Sequence, residues 1–332
     1  MQPTLAERGL DRIRTSLSEI DKSNLPGSIR SLARPARRAG RSVLLITRAT
    51  KRLLSAKMIK RNILYPIRNT ILRNRPLPVD AGGMRYFLAP EGAVPLEMWS
   101  GRYFEKQELE FVLGVLEPGM TFVDVGANVG MFSIAAAKKV QDGRVLAFEP
   151  CGWTYERLIK NQGLNGLTNL QTIHAALGER AAEAILHVNV PGKDGLNTIG
   201  RPTHVDSEVA GAEKVLVVTL DEALQQCGIS RVDVMKMDVE GSELFVLLGA
   251  KQLLSRSNAP LILYEGGFLS KGFDYHPVEA MWLLQKCGYS LFVLDSNSGR
   301  ILVPPNGKAY NASVIAVKPS HPAYARVTER VS

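Results

Sequence analysis

Apolar residues along this chain alternate between two spacings, and the alternation outlines an α/β body. Short, mostly apolar runs at 121–125, 144–148, 170–174, 232–237 and 260–264 predict strands. Between and after them, 129–140, 152–164, 241–255 and 277–287 carry apolar residues at helical spacing. Strand and helix in turn, with short connections, predict a parallel sheet covered on both faces. Residues Met84–Leu88 add a strand candidate upstream, and a helix runs to Leu116 before Pro118-Gly119. Residues 184–190 and 214–219 predict an extra β pair. Strands near 290–294 and 312–317 close the pattern. The second of these follows a turn at Pro304–Gly307 rather than a helix, so it is free to return antiparallel.

Upstream of this body the pattern changes. Residues 1–40 are polar and basic, with Pro26, Gly27, Pro35 and Gly40 interrupting them. Ile59, Ile63, Ile67 and Ile71 then recur at four-residue steps, which predicts one apolar helix face, with Pro66 kinking it. Arg75-Pro76-Leu77-Pro78 reads as a linker. The expected organisation is a basic helical extension over 1–78, a body over 79–320 and a tail over 321–332.

The chain has 332 residues and is 45% apolar, enough for a core domain with an appendage. Its net charge of +9 is segregated. Residues 1–75 hold 18 Lys+Arg against 4 Asp+Glu, or +14, whereas the remainder holds 23 against 28, or −5. An acidic body excludes a chain-wide nucleic-acid surface, and no specific nucleic-acid partner is expected. The basic stripe over 41–75 has two readings: peripheral contact with an anionic membrane, or a cap docked on the body or on a second copy in a homo-oligomer. Cys151, Cys227 and Cys287 are odd in number and far apart, which supports neither disulfides nor zinc. No signal peptide or spanning run is seen, so the expected location is the cytoplasm, with or without a peripheral membrane contact.

The chemistry concentrates in Thr121-Phe-Val-Asp-Val-Gly-Ala-Asn-Val-Gly130, a strand that empties into a glycine turn and a helix. Such a turn offers backbone N–H groups to an anion. Asp124 ends this strand, Glu149 ends the next and Asp238 ends the fourth, at the carboxyl rim where open sheets bind ligands. Asn128 occupies the place where a dinucleotide fold carries the glycine that admits a pyrophosphate. A cofactor without one, S-adenosylmethionine (AdoMet), fits better. Gly126, Asn128 and Gly130 would cradle its carboxylate, Asp124 and Asp238 would face its cationic centres, and Glu149 would take its ribose diol. Asp238 is the first candidate to receive a proton from an acceptor hydroxyl, with Glu240, Glu265 and His276 behind it. Glu243 is open between a helix-dipole role and a functional one. Lys236, inside a strand, needs a partner in Asp238, Glu240 or Glu265, or else points off the sheet edge. The other histidines, His174, His187 and His204 among them, read as surface or strand residues. Asn197, Thr198 and Arg201 lie in a loop that either covers an acceptor pocket or is simply polar surface. Asp238 and Glu240 alone do not make a metal site, and none is expected.

The phrases FVDVGANVGMFSIAAAKK, GRVLAFEP, NQGLN, VVTLDEAL, DVMKMDVEGSELFVLLGA and PLILYEGG together resemble the FkbM family of AdoMet-dependent methyltransferases, in order over residues 98–266. SGRYFE, ending at Glu105, is similar to the segment that precedes that family's first strand. The resemblance implies a class I methyltransferase (Rossmann-like) doubly wound sheet of seven strands, the last antiparallel. It also implies O-methylation of a hydroxyl on a sugar, glycolipid precursor or small metabolite. Asp124, Gly126, Asn128 and Gly130 match its cofactor turn, Glu149 its ribose acid and Asp238 its acid after the fourth strand. Two rivals stand beside this reading: an NAD-linked oxidoreductase, and a non-catalytic adaptor that keeps the fold and works through its basic arm.

Overall fold

The computed structural model describes residues 77–88, 98, 105–304 and 312–331, with backbone alone at 77, 78 and 268–270. The basic segment 1–76, with its predicted helix and its membrane or docking role, lies outside the described residues. The chain enters as an antiparallel ribbon, β1 (Leu77–Ala81) and β2 (Met84–Leu88). Leu77 and Pro78, read as linker, therefore belong to a strand. Pro78 is tolerated because β1 pairs on one side only.

The body follows as α1 (Lys106–Val115), β3 (Thr121–Val125), α2 (Met131–Val140), β4 (Arg144–Phe148), α3 (Gly152–Leu164) and β5 (Leu170–Ile173). A small side sheet comes next, formed by β6 (Ala176–Leu177), β7 (Ala182–Asn189) and β8 (Val209–Val218). The predicted β pair is thus a longer ribbon, with an irregularity at Val188/Asn189. The chain returns to the main sheet with α4 (Leu220–Gln226), β9 (Val234–Met237), α5 (Glu243–Leu248), α6 (Lys251–Ser255) and β10 (Leu261–Gly266). It closes with α7 (Val278–Lys286), β11 (Ser290–Leu294), β12 (Ile301–Leu302), β13 (Ala312–Val317) and α8 (Tyr324–Thr328).

The main sheet has the order β12-β11-β13-β10-β9-β3-β4-β5. Its seven long strands are the seven expected, and β13 runs antiparallel between β10 and β11. Two-residue β12 adds an eighth strand at the edge. Helices cover both faces, so β3, β4 and β9 are buried almost throughout. Their side chains alternate between two cores. Phe122 and Val234 pack with Ile134, Ala136 and Leu158 on one face; Val123 and Met235 pack with Leu247 and Leu284 on the other. The chain crosses from β5 at one edge to β9 beside β3, so the order reverses between β3 and β9. Ligands bind at such a reversal, outside the strands' carboxyl ends.

Two further expectations change. The helix predicted over 241–255 is two helices, broken at Gly249-Ala250. A Cβ on Gly249 would lie 2.0 Å from the Gly178 carbonyl oxygen, so this position lets a neighbouring loop press against the backbone. Residues 321–331 are not a free tail. Ala323 and Val327 are buried in the core, and Val331 bridges to Ile301.

Candidate functional site

A cleft opens at the carboxyl ends of β3, β4 and β9, lined in part by Gly126–Val129, Glu149, Lys236 and Asp238. Its floor is the glycine turn. Gly126 (φ 79), Asn128 (φ 50) and Gly130 (φ 91) are all left-handed. At Gly126 this has a second cause: a Cβ would meet the Asp238 carbonyl oxygen at 1.9 Å, so the β3 and β9 exits touch backbone to backbone.

The turn's own amides are engaged internally, contrary to the anion-cradle expectation. Gly126 and Ala127 N–H donate to the Phe148 carbonyl (3.0 and 2.9 Å). Asn128 N–H donates to Glu149 Oε2 (2.8 Å), Val129 N–H to Asn128 Oδ1 (2.8 Å) and Gly130 N–H to the Ala127 carbonyl (2.9 Å). The anion-binding capacity moves one step along, to the first turn of α2. Met131 and Phe132 line the cleft, and their amides have no acceptor among the described residues.

Glu149 lies at the other end of this hydrogen-bond chain. Its carboxylate also accepts from Cys151 N–H (2.9 Å). Each oxygen thus takes one backbone donor and keeps a lone pair for the cleft. Burial pushes its pKa up to about 7, against the lowering effect of the two amides. Asp124, expected to touch the cofactor, sits beneath the floor and not among the residues lining the cleft. It is 1% exposed and accepts from the Ser133 hydroxyl. Its pKa is raised by burial, against the opposing pull of Lys236 and Ser133. The period of two puts its side chain on the α2 side of the sheet.

Lys236 is directly opposite Asp124 in the β3–β9 register and shares that face. It is central in the sheet, not off an edge. Its Nζ lies 3.0 Å from Asp238 Oδ2, 3.9 Å from Glu105 Oε2 and 4.6 Å above the Phe132 ring. Burial works to lower its pKa, but Asp238, Glu105 and Asp124 together raise it, so it stays charged. Glu105 caps α1 in a left-handed conformation (φ 50), and burial followed by its acidic neighbours pushes it up to about 8, with Lys236 opposing. Glu240, also left-handed (φ 53), lines the cleft; burial, then Asp238, Glu265 and Glu243, push it up to about 10. Asp238 and Glu240 are therefore brought together. Glu265 is exposed on β10 and outside the lining.

The remaining candidates are structural. Glu243 is buried, accepts from Gly241 N–H and from the Tyr275 hydroxyl (both 3.3 Å), and holds the turn that carries Glu240. Thr198 donates to the Glu240 carbonyl (3.0 Å), tying the loop after β7 to the same turn. Asn197 lines the cleft but its Oδ1 accepts from Asn189 N–H. Arg201 pairs with Asp274 at the surface. His276 accepts from Val278 N–H at the start of α7, away from the cleft. His174 stacks on Tyr155.

The sequence reading missed several lining residues. Phe148, Ala175, Ala176, Leu177, Leu186 and Ile199 make an apolar end, and Asp194 stands beside it with Arg157 at 3.8 Å. Ala175-Ala176-Leu177, directly after β5, carried the one available signal: an apolar strand exit at the same rim. Leu186 and Ile199 come from the side sheet and its loop, which no local pattern directs to the cleft.

A family model described as Methyltransferase FkbM domain matches residues 124–291, half the chain. Methyltransferase sdnD of Sordaria araneosa is 31% identical over 156 residues, covering 39% of this chain and 60% of that protein. Methyltransferase 1 of Beauveria bassiana is 28% identical over 141 residues, covering 38% and 57%. Hexuronic acid methyltransferase AglP of Haloferax volcanii is 24% identical over 173 residues, covering 52% and 67%. The matched region thus spans about 60% of the first two relatives' length.

Proposed function

The chain belongs to the FkbM methyltransferase family, and from that premise we propose that it is an AdoMet-dependent methyltransferase acting on a hydroxyl of a sugar, glycolipid precursor or small metabolite. The observation that carries the reading is the cleft itself. One end is apolar, a buried carboxylate with spare lone pairs stands in the middle, two unengaged helix amides lie nearby, and acids gather at the far end. These are the unlike surfaces that a purine, a ribose diol, a carboxylate and a sulfonium require. The residues present fit the group.

Glu149 would accept both ribose hydroxyls, and Ala175–Leu177 with Leu186 would enclose the adenine. The α2 amides of Met131 and Phe132 would hold the methionine carboxylate. Asp238 and Glu105 would face the cationic centres. When bound, AdoMet supplies an activated methyl group, so the protein's main contribution is alignment of the acceptor oxygen. Asp238, whose Oδ2 lies 3.0 Å from Lys236 Nζ, would receive the hydroxyl proton at a carboxylate oxygen. Glu240, pushed up to about 10 by burial and its acidic neighbours, holds a proton at neutral pH and so is not free to accept another. The relative named for a hexuronic acid supports a sugar as acceptor.

Calorimetric titration with AdoMet and, separately, with NAD tests the premise. AdoMet should bind in the micromolar range and NAD should not, and Glu149→Gln should weaken AdoMet binding roughly tenfold or more. NAD binding, or unchanged AdoMet affinity in the variant, would remove the ribose assignment. Mass spectrometry of cellular glycans and small metabolites with and without the protein, read for a shift of one methyl group, then finds the acceptor.

A further inference from the structure

At the apolar end of the cleft, beside Ala175–Leu177, Leu186 and Ile199, stand two polar residues of the loop after β7: Asp194 and Asn197. They bound a single 3₁₀ turn, Asp194–Leu196, closed by Asn197 N–H donating to the Asp194 carbonyl (3.3 Å). Residues three apart in such a turn eclipse one another, which sets the two side chains on the same side. Both are held in place. Asp194 Oδ1 accepts from Gly192 N–H (3.2 Å), and Oδ2 lies 3.8 Å from the Arg157 guanidinium, itself stacked 3.9 Å above the Trp153 ring. Asn197 Oδ1 accepts from Asn189 N–H (2.8 Å), and Asn189, 1% exposed, donates to the Leu196 carbonyl (2.7 Å). That bond decides the Asn197 amide: its oxygen is committed to the side sheet, and its NH₂ is the end left for the cleft. Burial, then Asp124 and Asp194, raise the Glu149 pKa, so Asp194 stands within electrostatic reach of the acid assigned to the ribose.

We propose that Asp194 and Asn197 select the base of the cofactor, the carboxylate accepting from the exocyclic amine of adenine and the Asn197 amide donating to the adjacent ring nitrogen. This rests on the AdoMet reading and adds to it the residues that tell adenine from other purines. The match is one of pattern. The protein sets an acceptor beside a donor, and the Watson–Crick edge of adenine sets a donor, N6–H, beside an acceptor, N1. A carboxylate has roughly four acceptor sites, so an oxygen fixed by one partner can still accept from a ligand. Hypoxanthine reverses both positions: its O6 would meet the carboxylate and its N1–H the amide NH₂. Apolar walls do not separate two flat bases of equal size, whereas a site built to hydrogen-bond one of them does. The β5 exit, Ala175-Ala176-Leu177, gives contact area without a side-chain hydrogen bond, so the selection falls to the side-sheet loop.

S-adenosylhomocysteine and S-inosylhomocysteine differ only at that edge, and calorimetry on the full chain compares them. S-adenosylhomocysteine should bind at least roughly a hundredfold more tightly, since two mismatched buried pairs cost about tenfold or more each. Asp194→Asn keeps an oxygen for Gly192 N–H and offers NH₂ to O6. Asn197→Asp keeps the oxygen for Asn189 N–H and offers an acceptor to N1–H. Each should shrink the ratio roughly tenfold, whereas Glu149→Gln should weaken both nucleosides alike and leave the ratio unchanged. Equal binding of the two by the wild-type chain overturns the assignment. So do variants that lose affinity for both by the same factor, which would make Asp194 and Asn197 scaffolding of the loop. Should Asp194→Asn fail to fold by circular dichroism, Asn197→Asp decides alone. A wild-type chain that binds neither nucleoside removes the cofactor reading and this assignment with it.

Discussion

Lys236 sits where a charge is least welcome, in the middle of a sheet covered on both faces. It is retained there because Asp124, Glu105 and Asp238 are held on its side of the sheet. Removing one member of such a group leaves the others buried and uncompensated, which costs more than the pair contributes. Lys236→Met should therefore destabilise the fold by about 3–5 kcal/mol in urea unfolding. A loss below about 1 kcal/mol would mean that water reaches the carboxylates and that the cluster is not the closed unit described. The residue's strangeness was legible in the sequence, since a lysine within VMKM demands a partner. Its partners were not: Asp238 was among the three named, but Glu105 is reached through α1, 131 positions away in the chain.

At the scale of elements, α3 shows how a short motif works. Asn161 and Asn165, four residues apart, lie on one face of the helix. Asn161 accepts from Phe87 N–H and donates to the Val129 carbonyl (2.8 Å), while Asn165 accepts from Arg85 N–H and donates to the Arg85 carbonyl. The two side chains thus dock β2 as if α3 were another strand, and Asn161 pins the glycine turn as well. Asn161 is fully buried, so truncation orphans groups at both ends. Asn161→Ala should cost about 2–3 kcal/mol and raise amide exchange in both residues 84–88 and 126–130. Faster exchange confined to the ribbon would show that the turn holds itself. The sequence offered NQGLN as a recognisable phrase without a task. The task depends on β2 lying across the helix, which is a tertiary fact.

The whole molecule carries several acids held above their ordinary range, and this sets the direction of its pH dependence. Burial raises Glu243 to about 7, Glu105 to about 8 and Glu240 to about 10, each from an ordinary 4.5. Between the unfolded and folded values the folded chain holds protons that the unfolded chain has lost. Their stabilising contribution is complete below about 4.5 and is lost as pH rises through the folded values. His321, whose pKa is lowered by burial from 6.5, acts in the opposite sense below that pH, so the clean window lies above it. The melting temperature without ligand should fall from pH 6.5 to pH 8.5, and Glu240→Gln should flatten the fall. A rise over that window, or an unchanged slope in the variant, contradicts the burial of these groups.

The doubly wound sheet, its strand limits within a residue or two, the antiparallel return of β13 and the rim positions of Glu149 and Asp238 were all legible in the chain. They follow from local apolar spacing and from the rule that open sheets bind at strand ends, and both operate over a few neighbouring residues. Tertiary structure decided the rest. It placed Asp124 below the floor, turned the glycine loop's amides inward, and moved the anion site to Met131 and Phe132. It also brought Glu105 to Lys236 and closed the apolar end with Leu186 and Ile199. Each of these depends on where a residue distant in sequence comes to rest, and local spacing carries no information about that until the core has packed.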